Sequence, residues 1–414
     1  MSPKPLAGQT TPAQMPQQIG PFARLRHLLA DTAPAENETI FDLTIGAPRH
    51  APPDFVLQKL QESAAENGAS YGRYPPIEGL PIWQDAVRHW LARRFGLANP
   101  CPHPHQVLPV SGTREGLFLL AQLARPNRPD KTLMAMPNPF YQVYAAAAQA
   151  AGATPVYLSA DKETGFLPDL DQLTPETLTQ LRAFFMCSPA NPQGAIAPET
   201  YLDRLLDLAE NYDFLVILDE CYMEIYDRRF EKNPPLSALN CAEKRPEGAR
   251  NLVVFHSLSK RSNLPGLRSG FCAGGAEIME AYYQFRLVAG PQTPVATLEA
   301  AALAWADDAH VAANRALYQE KFDVAENILA GQFGFFRPDG GFFLWLNVGN
   351  GEKACLELWQ KAAIKVLPGS YLSRSNDATD PGAAYIRVAL VDTAEKTEQA
   401  LIKMRETLSE AGLT

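Results

Sequence analysis

The sequence predicts an α/β fold in which a mostly parallel β-sheet is flanked by helices and followed by a smaller α+β domain. Up to about residue 290, continuous apolar strands alternate with amphipathic helices, which is typical of a parallel sheet buried on both faces. From Pro291 onward the pattern changes to long helices and short strands. At 414 residues the chain is long enough to bury two hydrophobic cores.

Composition and charge exclude several classes of protein. With 46% apolar and 20% charged residues, the chain has an ordinary globular composition. A net charge of −9 without a cluster of Lys and Arg argues against a nucleic-acid partner. The uncharged run 141–160 contains Gln, Gly and Pro, so it predicts a helix and a strand rather than a membrane span.

The cysteines and the first residues indicate the cellular compartment. Six scattered cysteines without a CxxC pair are typical of free thiols in a reducing environment. The residues before Gly20 are rich in Pro, Gln and Thr and lack the apolar core of a signal peptide. We therefore expect a cytoplasmic protein. His103 and His105 form an H-x-H pair, which alone is a weak metal signal, and we expect no metal site.

The N-terminal elements are predicted in chain order as an arm, a helix and a strand. Residues 1–20 are expected to form a flexible arm because of their Pro and Gln content. Within 21–45 the apolar spacing predicts a helix from Phe22, and we expect this segment to pack on the smaller domain. A strand beginning at Phe41 breaks at Gly46, which is either a simple turn or a close approach of backbone to a ligand.

The following loop and strand contain the first polar candidates. Tyr71 and Tyr74 lie in a loop rich in Gly and Pro, where exposed aromatic side chains are unusual. After an amphipathic helix and the strand Gln106 to Val110, the turn Ser111-Gly112-Thr113 opens another helix. Free backbone N–H groups and the helix dipole face such a turn, so it is a candidate anion site. The alternative is that Ser111 only caps the helix.

Further polar candidates also come directly after predicted strands. Ligands of open parallel sheets bind at the carboxyl ends of the strands, so residues in these positions are expected to meet in one site. An unpaired carboxylate after an apolar strand is costly, so Asp219 is expected to have a cationic partner. An aromatic residue at a strand end can stack on a planar ring, although aromatic residues are more often core. The candidates after the strands ending near residues 136, 187, 218 and 255 are Tyr141, Asn191, Asp219, Tyr222 and Lys260.

The stretch 257–270 carries the strongest chemical signal. A lysine at the end of a buried strand is desolvated, which lowers its pKa and makes Lys260 a candidate Schiff-base nucleophile. Ser257, Ser259 and Arg268 surround it and are suited to hold a phosphate. A carbonyl-reactive lysine beside a phosphate site is what pyridoxal phosphate requires. Taken alone, the stretch is better explained as a basic turn after a strand, and only the other candidates favour the functional interpretation.

The large domain is predicted to span residues 46–290 and the smaller domain residues 291–414. In the smaller domain we predict helices from Val295 to Ala306 and from Asp308 to Leu329. A hairpin-like segment from Gly340 to Leu346, a helix and a strand containing Arg387 complete it.

Four motifs in one order carry a resemblance to a known family. They are Asn-Pro-x-Gly at 191–194, Asp-x-x-Tyr at 219–222, Ser-x-Ser-Lys at 257–260, and an arginine eight residues after the lysine. From about Phe22 to its C-terminus the chain resembles the fold-type I pyridoxal-phosphate enzymes, specifically the class I/II aminotransferases. This implies an aspartate-aminotransferase-like fold with a seven-stranded sheet, and a homodimer as the active unit.

The resemblance also implies a role for each candidate residue. Lys260 binds pyridoxal phosphate covalently and, as a free amine, shuttles a proton between the substrate α-carbon and the cofactor. Asp219 pairs with the pyridine nitrogen. Arg387, which in a strand is usually a surface charge, binds the substrate carboxylate with two hydrogen bonds. The other implied contacts are ring stacking on Tyr141, hydrogen bonds to the phenolic oxygen from Asn191 and Tyr222, phosphate binding by Ser111, Gly112, Thr113, Ser257, Ser259, Arg268 and the partner's Tyr74, and substrate carboxylate contacts from Gly46 and Asn191.

Three segments are similar to one subgroup of this family, the succinyldiaminopimelate aminotransferases of bacterial lysine biosynthesis. They are Met136 to Tyr144, His256 to Gly270, and Val366 to Leu372. The similarity implies glutamate as amino donor and N-succinyl-2-amino-6-oxopimelate as acceptor. Arg261-Ser262-Asn263 and Ser269 depart from the commoner family pattern, and we interpret them as a subgroup signature.

Other functions use the same chemistry or fold. An aminotransferase for aspartate, alanine or aromatic substrates shares most of the motifs, and a lyase or synthase of the same fold would eliminate a group from the β or γ carbon. A transcription regulator would need a DNA-binding module before Phe22, where only about twenty Pro-rich residues are present.

Overall fold

The computed structural model describes residues 20–66, 71–124, 128–375 and 380–413. The strands are β1 (Phe41–Asp42), β2 (Val107–Val110), β3 (Leu133–Asn138), β4 (Thr154–Ser159), β5 (Leu181–Cys187), β6 (Leu215–Asp219), β7 (Leu252–Ser257), β8 (Gly270–Gly274), β9 (Phe343–Asn347), β10 (Ile364–Lys365), β11 (Leu367–Pro368) and β12 (Tyr385–Ala389).

Helices connect and cover these strands. They are α1 (Pro21–Leu28), α2 (Asp54–Glu66), α3 (Pro81–Phe95), α4 (Thr113–Ala121), α5 (Gln142–Ala150), α6 (Pro175–Gln180), α7 (Glu199–Tyr212), α8 (Ala238–Glu243), α9 (Leu258–Arg261), α10 (Ala276–Arg286), α11 (Val295–Ala306), α12 (Ala309–Leu329), α13 (Gly351–Ala362) and α14 (Ala394–Glu410). No helix in the described ranges is long and apolar enough to cross a membrane.

The predicted mostly parallel, seven-stranded sheet is confirmed. Its strand order is β2-β8-β7-β6-β5-β3-β4, and only β8 runs antiparallel to its neighbours. Strands β6 and β7 are buried along their whole lengths and β5 at every residue except Arg182, which explains their largely apolar sequences. In this register Cys187 lies beside Asp219, and Asp219 lies beside Phe255. The carboxyl ends of the central strands therefore meet at one edge of the sheet.

A second sheet has the order β11-β12-β9 and is antiparallel. The hairpin predicted from Gly340 to Leu346 is wrong. Strand β9 starts only at Phe343 and pairs with the distant β12, while Gly340 bridges to Tyr226. A local sequence pattern cannot reveal such a long-range partner, because alternation indicates a strand but not what it pairs with.

Two large hydrophobic cores show how the segments pack. Leu25, Phe41 and Leu43 lie in one core with residues from β9, β12 and α14, and we call it the smaller core. Helix α11 packs on α2 and α3 and contributes Leu298 and Trp305 to the core of the large sheet. The packing thus places α11 with the large sheet, although the sequence predicts the smaller domain from residue 291. The domain boundaries stay predictions, and the arm predicted at 1–20 lies outside the described residues except for Gly20.

Candidate active site

A cavity of about 190 Å³ opens at the carboxyl edge of the large sheet, between the sheet and the smaller core. A second cavity adjoins it and shares several lining residues. The predicted site residues that line one or both are Gly46, Thr113, Tyr141, Asn191, Asp219, Tyr222, Ser257, Ser259, Lys260, Arg268 and Arg387. The strand-end positions thus come together as expected for a parallel sheet.

Lys260 lies in the single-turn helix α9, directly after β7. The Ser257 hydroxyl caps this helix by accepting a hydrogen bond from the Ser259 N–H at 3.1 Å. The Lys260 amine donates to the carbonyl oxygen of Gly46, so the strand break at Gly46 places backbone against the amine. Burial lowers the pKa of Lys260 to about 8. A lysine with this pKa is partly neutral near pH 8 and can act as a nucleophile.

Asp219 is the last residue of β6 and is 4% exposed. Its carboxylate accepts hydrogen bonds from the Cys221 N–H at 3.2 Å and the Tyr144 hydroxyl at 3.4 Å. Within the described ranges, no Lys, Arg or His forms a salt bridge with it. Burial raises the pKa of the Asp219 carboxyl. A buried carboxylate without a cationic partner is costly, and a cationic ligand in the cavity would compensate it.

Arg387 occupies the opposite wall of the cavity, in β12. Its guanidinium donates to Asn191 Oδ1 at 3.1 Å and to the Thr44 carbonyl oxygen at 2.7 Å. The buried Nε has no partner among the described residues, and the group lies 4.3 Å from the Phe343 ring. Burial lowers the pKa of Arg387 to about 10. These contacts fix the guanidinium as a buried cation suited to two-pronged binding of a carboxylate.

The turn before α4 is shaped for close approach to Arg268. Gly112 has a φ of +93°, and a Cβ there would lie 2.0 Å from Arg268 Nη2. Only glycine fits both the conformation and the space. The N-terminus of α4 and Arg268 therefore point at one corner, which is suited to an anion. Ser111 instead has its hydroxyl 3.5 Å from that of Thr293, and it lines neither cavity.

The predicted tyrosines have different surroundings. Tyr141 is half-buried in the cavity wall, and its hydroxyl accepts a hydrogen bond from Arg114 Nε at 2.9 Å. Tyr222 is buried with its ring edge-on to Phe342 at 5.2 Å, and burial raises its pKa. Tyr74 is 95% exposed and lines neither cavity in a single chain.

Several cavity residues are not among the candidates predicted from the sequence. Arg114 lies at the exposed rim, Cys187 and Cys221 flank Asp219, and Phe22 of α1 closes one side. Tyr144, which hydrogen-bonds Asp219, was detectable in principle. It stands three residues after Tyr141 on helix α5, and residues at this spacing share a helix face.

These features fit pyridoxal phosphate. Asp219 is a buried carboxylate that needs a cation, as a protonated pyridine nitrogen would provide. Lys260 has a lowered pKa, and the corner of Gly112 and Arg268 suits a phosphate. The donor set thus matches the cofactor's ring nitrogen, aldehyde and phosphate.

Comparisons with known proteins agree with this geometry. Residues 38–404 match the family described as aminotransferase class I and II. An LL-diaminopimelate aminotransferase from Dehalococcoides mccartyi is 31% identical over 385 residues, covering 91% of this chain and 93% of the relative.

Solved structures give the same result. An aminotransferase from Neisseria meningitidis has a TM-score of 0.86 and 35% identity, covering 94% of this chain and 97% of that one. Aminotransferase AspB from Helicobacter pylori has a TM-score of 0.84 and 32% identity, covering 94% and 98%. The chain belongs to the class I and II aminotransferases and is a pyridoxal-phosphate-dependent transferase.

Proposed function

We propose the following roles for the cavity residues in transamination. When bound, pyridoxal phosphate supplies an aldehyde that condenses with amines and a ring that accepts electrons from the substrate α-carbon. Lys260 holds the cofactor through its amine and, once released, takes and returns the α-carbon proton. Asp219 keeps the ring nitrogen protonated. Tyr222 and Asn191 orient the ring, and Tyr141 provides the surface on which it stacks.

Substrate binding is assigned to the opposite wall. Arg387 holds the α-carboxylate through its free donors, and the carbonyl oxygen of Gly46 keeps the Lys260 amine on the same side. The phosphate is assigned to the N-terminus of α4 with Arg268, while Ser257 and Ser259 shape α9 beneath it.

We further propose that the substrate is N-succinyl-2-amino-6-oxopimelate, with glutamate as amino donor. The observation that supports this substrate is the charge of the cavity wall. Among its described lining residues the cations are Lys260, Arg387 and Arg114, and the only carboxylate is Asp219, which is assigned to the ring nitrogen. This wall favours substrates with two or more carboxylates. It offers no partner for a second ammonium, so an acylated distal amine suits it better than a free one.

Free LL-diaminopimelate is the second candidate, because the D. mccartyi relative carries that name. Its distal end has a free ammonium beside a carboxylate, so an acidic group near the cavity rim would be expected. Aspartate, alanine and aromatic amino acids remain further alternatives with shorter or uncharged side chains. All of these share the cofactor chemistry, so the substrate must be tested directly.

We also propose that the chain works as a homodimer in the cytoplasm. In a single chain Tyr74 is 95% exposed, and Val288 is 88% exposed beside the half-exposed Leu287. Apolar side chains this exposed would gain burial in the interface of the dimer that the family resemblance implies. In the proposed dimer, Tyr74 contacts the phosphate in the cavity of the partner subunit.

The test is a set of single half-reactions followed by the visible absorption of the bound cofactor. We expect N-succinyl-LL-2,6-diaminopimelate and glutamate to convert the cofactor quickly, and LL-diaminopimelate, aspartate, alanine and phenylalanine to react slowly. Fast reaction with LL-diaminopimelate and slow reaction with its succinyl derivative would overturn the substrate proposal. Release of pyruvate and ammonia would instead indicate a lyase.

Arg114 provides a prediction about the distal end of the substrate. This arginine is exposed at the cavity rim, and its Nε donates to the Tyr141 hydroxyl at 2.9 Å. We propose that it contacts the distal carboxylate of the substrate. Arg114→Gln should lower kcat/KM for glutamate and the succinylated substrate by about tenfold, the typical effect of losing one charge-assisted hydrogen bond. The measurement is steady-state kinetics with each substrate.

Alanine serves as the internal control for Arg114→Gln, since it has no distal carboxylate. Its slow half-reaction should keep the wild-type rate. An equal loss for alanine and glutamate would mean that the variant disturbs Tyr141 and the cofactor rather than distal recognition.

A further inference from the structure

The three residues after Lys260 are polar and almost fully buried. Arg261, Ser262 and Asn263 are 2%, 1% and 9% exposed, respectively. Buried polar groups need hydrogen-bond partners, because otherwise each costs the free energy of its lost hydration. This segment departs from the commoner family pattern, and its hydrogen-bond partners show what its polar side chains do.

Apart from their contact with each other, the side chains of Arg261 and Ser262 bond to residues at the end of α11, at the start of α12 and in the connection between them. Arg261 donates to the carbonyl oxygens of Ala304 at 2.6 Å and Asp307 at 3.1 Å. The Ser262 hydroxyl lies 2.8 Å from His310 Nε2, and His310 Nδ1 lies 2.5 Å from Asp307 Oδ1. Ser262 is too buried to meet a substrate, so this Ser-His-Asp arrangement holds structure and does not serve hydrolysis.

Asn314, one turn after His310 on α12, makes the most direct contact with the lysine turn. Its amide nitrogen donates to the carbonyl oxygens of both Lys260 and Arg261 at 3.2 Å. Its oxygen accepts from the Asn263 side chain at 2.9 Å. The last carbonyls of a helix have no partner within the helix, so this one amide satisfies the C-terminal end of α9.

Asn263 completes the arrangement through its backbone. Its φ is +53°, a left-handed conformation that asparagine adopts more readily than most residues. The chain can therefore turn sharply after α9 while its side chain reaches Asn314. Without these contacts, α9 would consist of one helical turn fixed mainly by the Ser257 cap, and a single turn is not stable by itself.

We propose that Asn314 is a positioning residue that fixes the Lys260-bearing turn against helix α12. This inference rests on the proposed role of Lys260 in holding the cofactor and moving the substrate proton. Further along, α12 contributes Phe322, Ala325 and Leu329 to the smaller core. Asn314 thus ties the lysine to a long helix that packs in the smaller core, and the Arg-Ser-Asn segment is the part of the lysine loop adapted to that contact.

The test compares two substitutions of Asn314 with the same changes at Asn327, an exposed residue of the same helix. Asn314→Leu removes donor and acceptor at similar volume, and Asn314→Asp keeps the acceptor for Asn263 but removes the donor. Both should lower kcat about tenfold or more and raise KM less than about threefold, because a small misplacement of a reacting group acts mainly on the chemical step. Both should also speed release of cofactor during dialysis. The Asn327 variants should match wild type in each measurement.

The outcomes separate positioning from a purely structural role. If both Asn314 variants lose thermal stability but keep wild-type kcat and cofactor release rate, the inference is wrong. If they do not fold, Asn263→Gly keeps the left-handed turn and removes only the side-chain contact, and it should show the same kinetic pattern in weaker form. Borohydride reduction of wild type followed by peptide mapping tests the premise separately. Absence of cofactor on Lys260 would overturn the proposed function itself.

Discussion

Lys260→Ala is expected to abolish turnover and the covalent attachment of the cofactor. The substitution removes the amine that both anchors the cofactor and moves the α-carbon proton. A positioned general base contributes up to about 10⁴-fold, and loss of covalent anchoring adds to this, so kcat should fall by at least about 10⁴-fold. The measurements are steady-state kinetics and the visible spectrum of the purified variant.

Two further observations would assign that loss to the amine. A small primary amine such as methylamine, added at high concentration, should restore part of the activity because it can enter the space left by the side chain. Lys361→Ala, which removes an exposed lysine that lines neither cavity, should behave as wild type. Normal turnover of the Lys260 variant would contradict the whole assignment of the site.

The fold and most of the candidate site could be predicted because the signals are local. Asn191, Asp219, Tyr222 and Lys260 each follow a short apolar strand, and the parallel register of β5, β6 and β7 brings those ends together. To predict that these residues meet in one site, only the strand ends and a parallel sheet are needed, and both can be recognised from the apolar pattern. The specific roles still required the family resemblance, since spacing alone does not identify a cofactor.

What the sequence did not reveal depends on tertiary packing. Asn314 is separated from Lys260 by 54 residues, and its contact exists only because α12 crosses the end of α9. Arg114 resembles any exposed helix residue until the cavity places it beside Tyr141. The sequence around β9 resembles a local hairpin, but the partner strand β12 lies far along the chain. Such contacts have no local pattern to detect.

The second large effect is expected for Asp219→Asn. The amide has the shape of the carboxylate but no charge, so it cannot keep a pyridine nitrogen protonated. Loss of one buried electrostatic group that stabilises the transition state typically costs about 10²–10³-fold in kcat, and we expect a fall of that size. Lys260 and the phosphate corner are unchanged, so the variant should still bind the cofactor. Steady-state kinetics and the cofactor content of the purified variant measure both effects.

The same substitution should have the opposite effect on the stability of the cofactor-free protein. There Asp219 is a buried carboxylate without a cationic partner within the described ranges, and burial raises its pKa above that in the unfolded chain. Ionising it therefore costs folding free energy at neutral pH, and the neutral amide removes this cost. Cofactor-free Asp219→Asn should melt at a higher temperature than cofactor-free wild type at pH 7.

The pH dependence provides the sharper test of Asp219. A carboxyl with a raised pKa in the folded state destabilises the protein only where the unfolded chain ionises it, above about pH 4. The advantage of Asp219→Asn should therefore be absent below pH 4, grow as the pH rises above it, and become constant above the folded-state pKa of Asp219. With cofactor bound the order should reverse, because the wild-type carboxylate then has its cation. If the variant is less stable without cofactor at every pH, Asp219 is compensated within the protein itself, and its assignment to the ring nitrogen loses its physical basis.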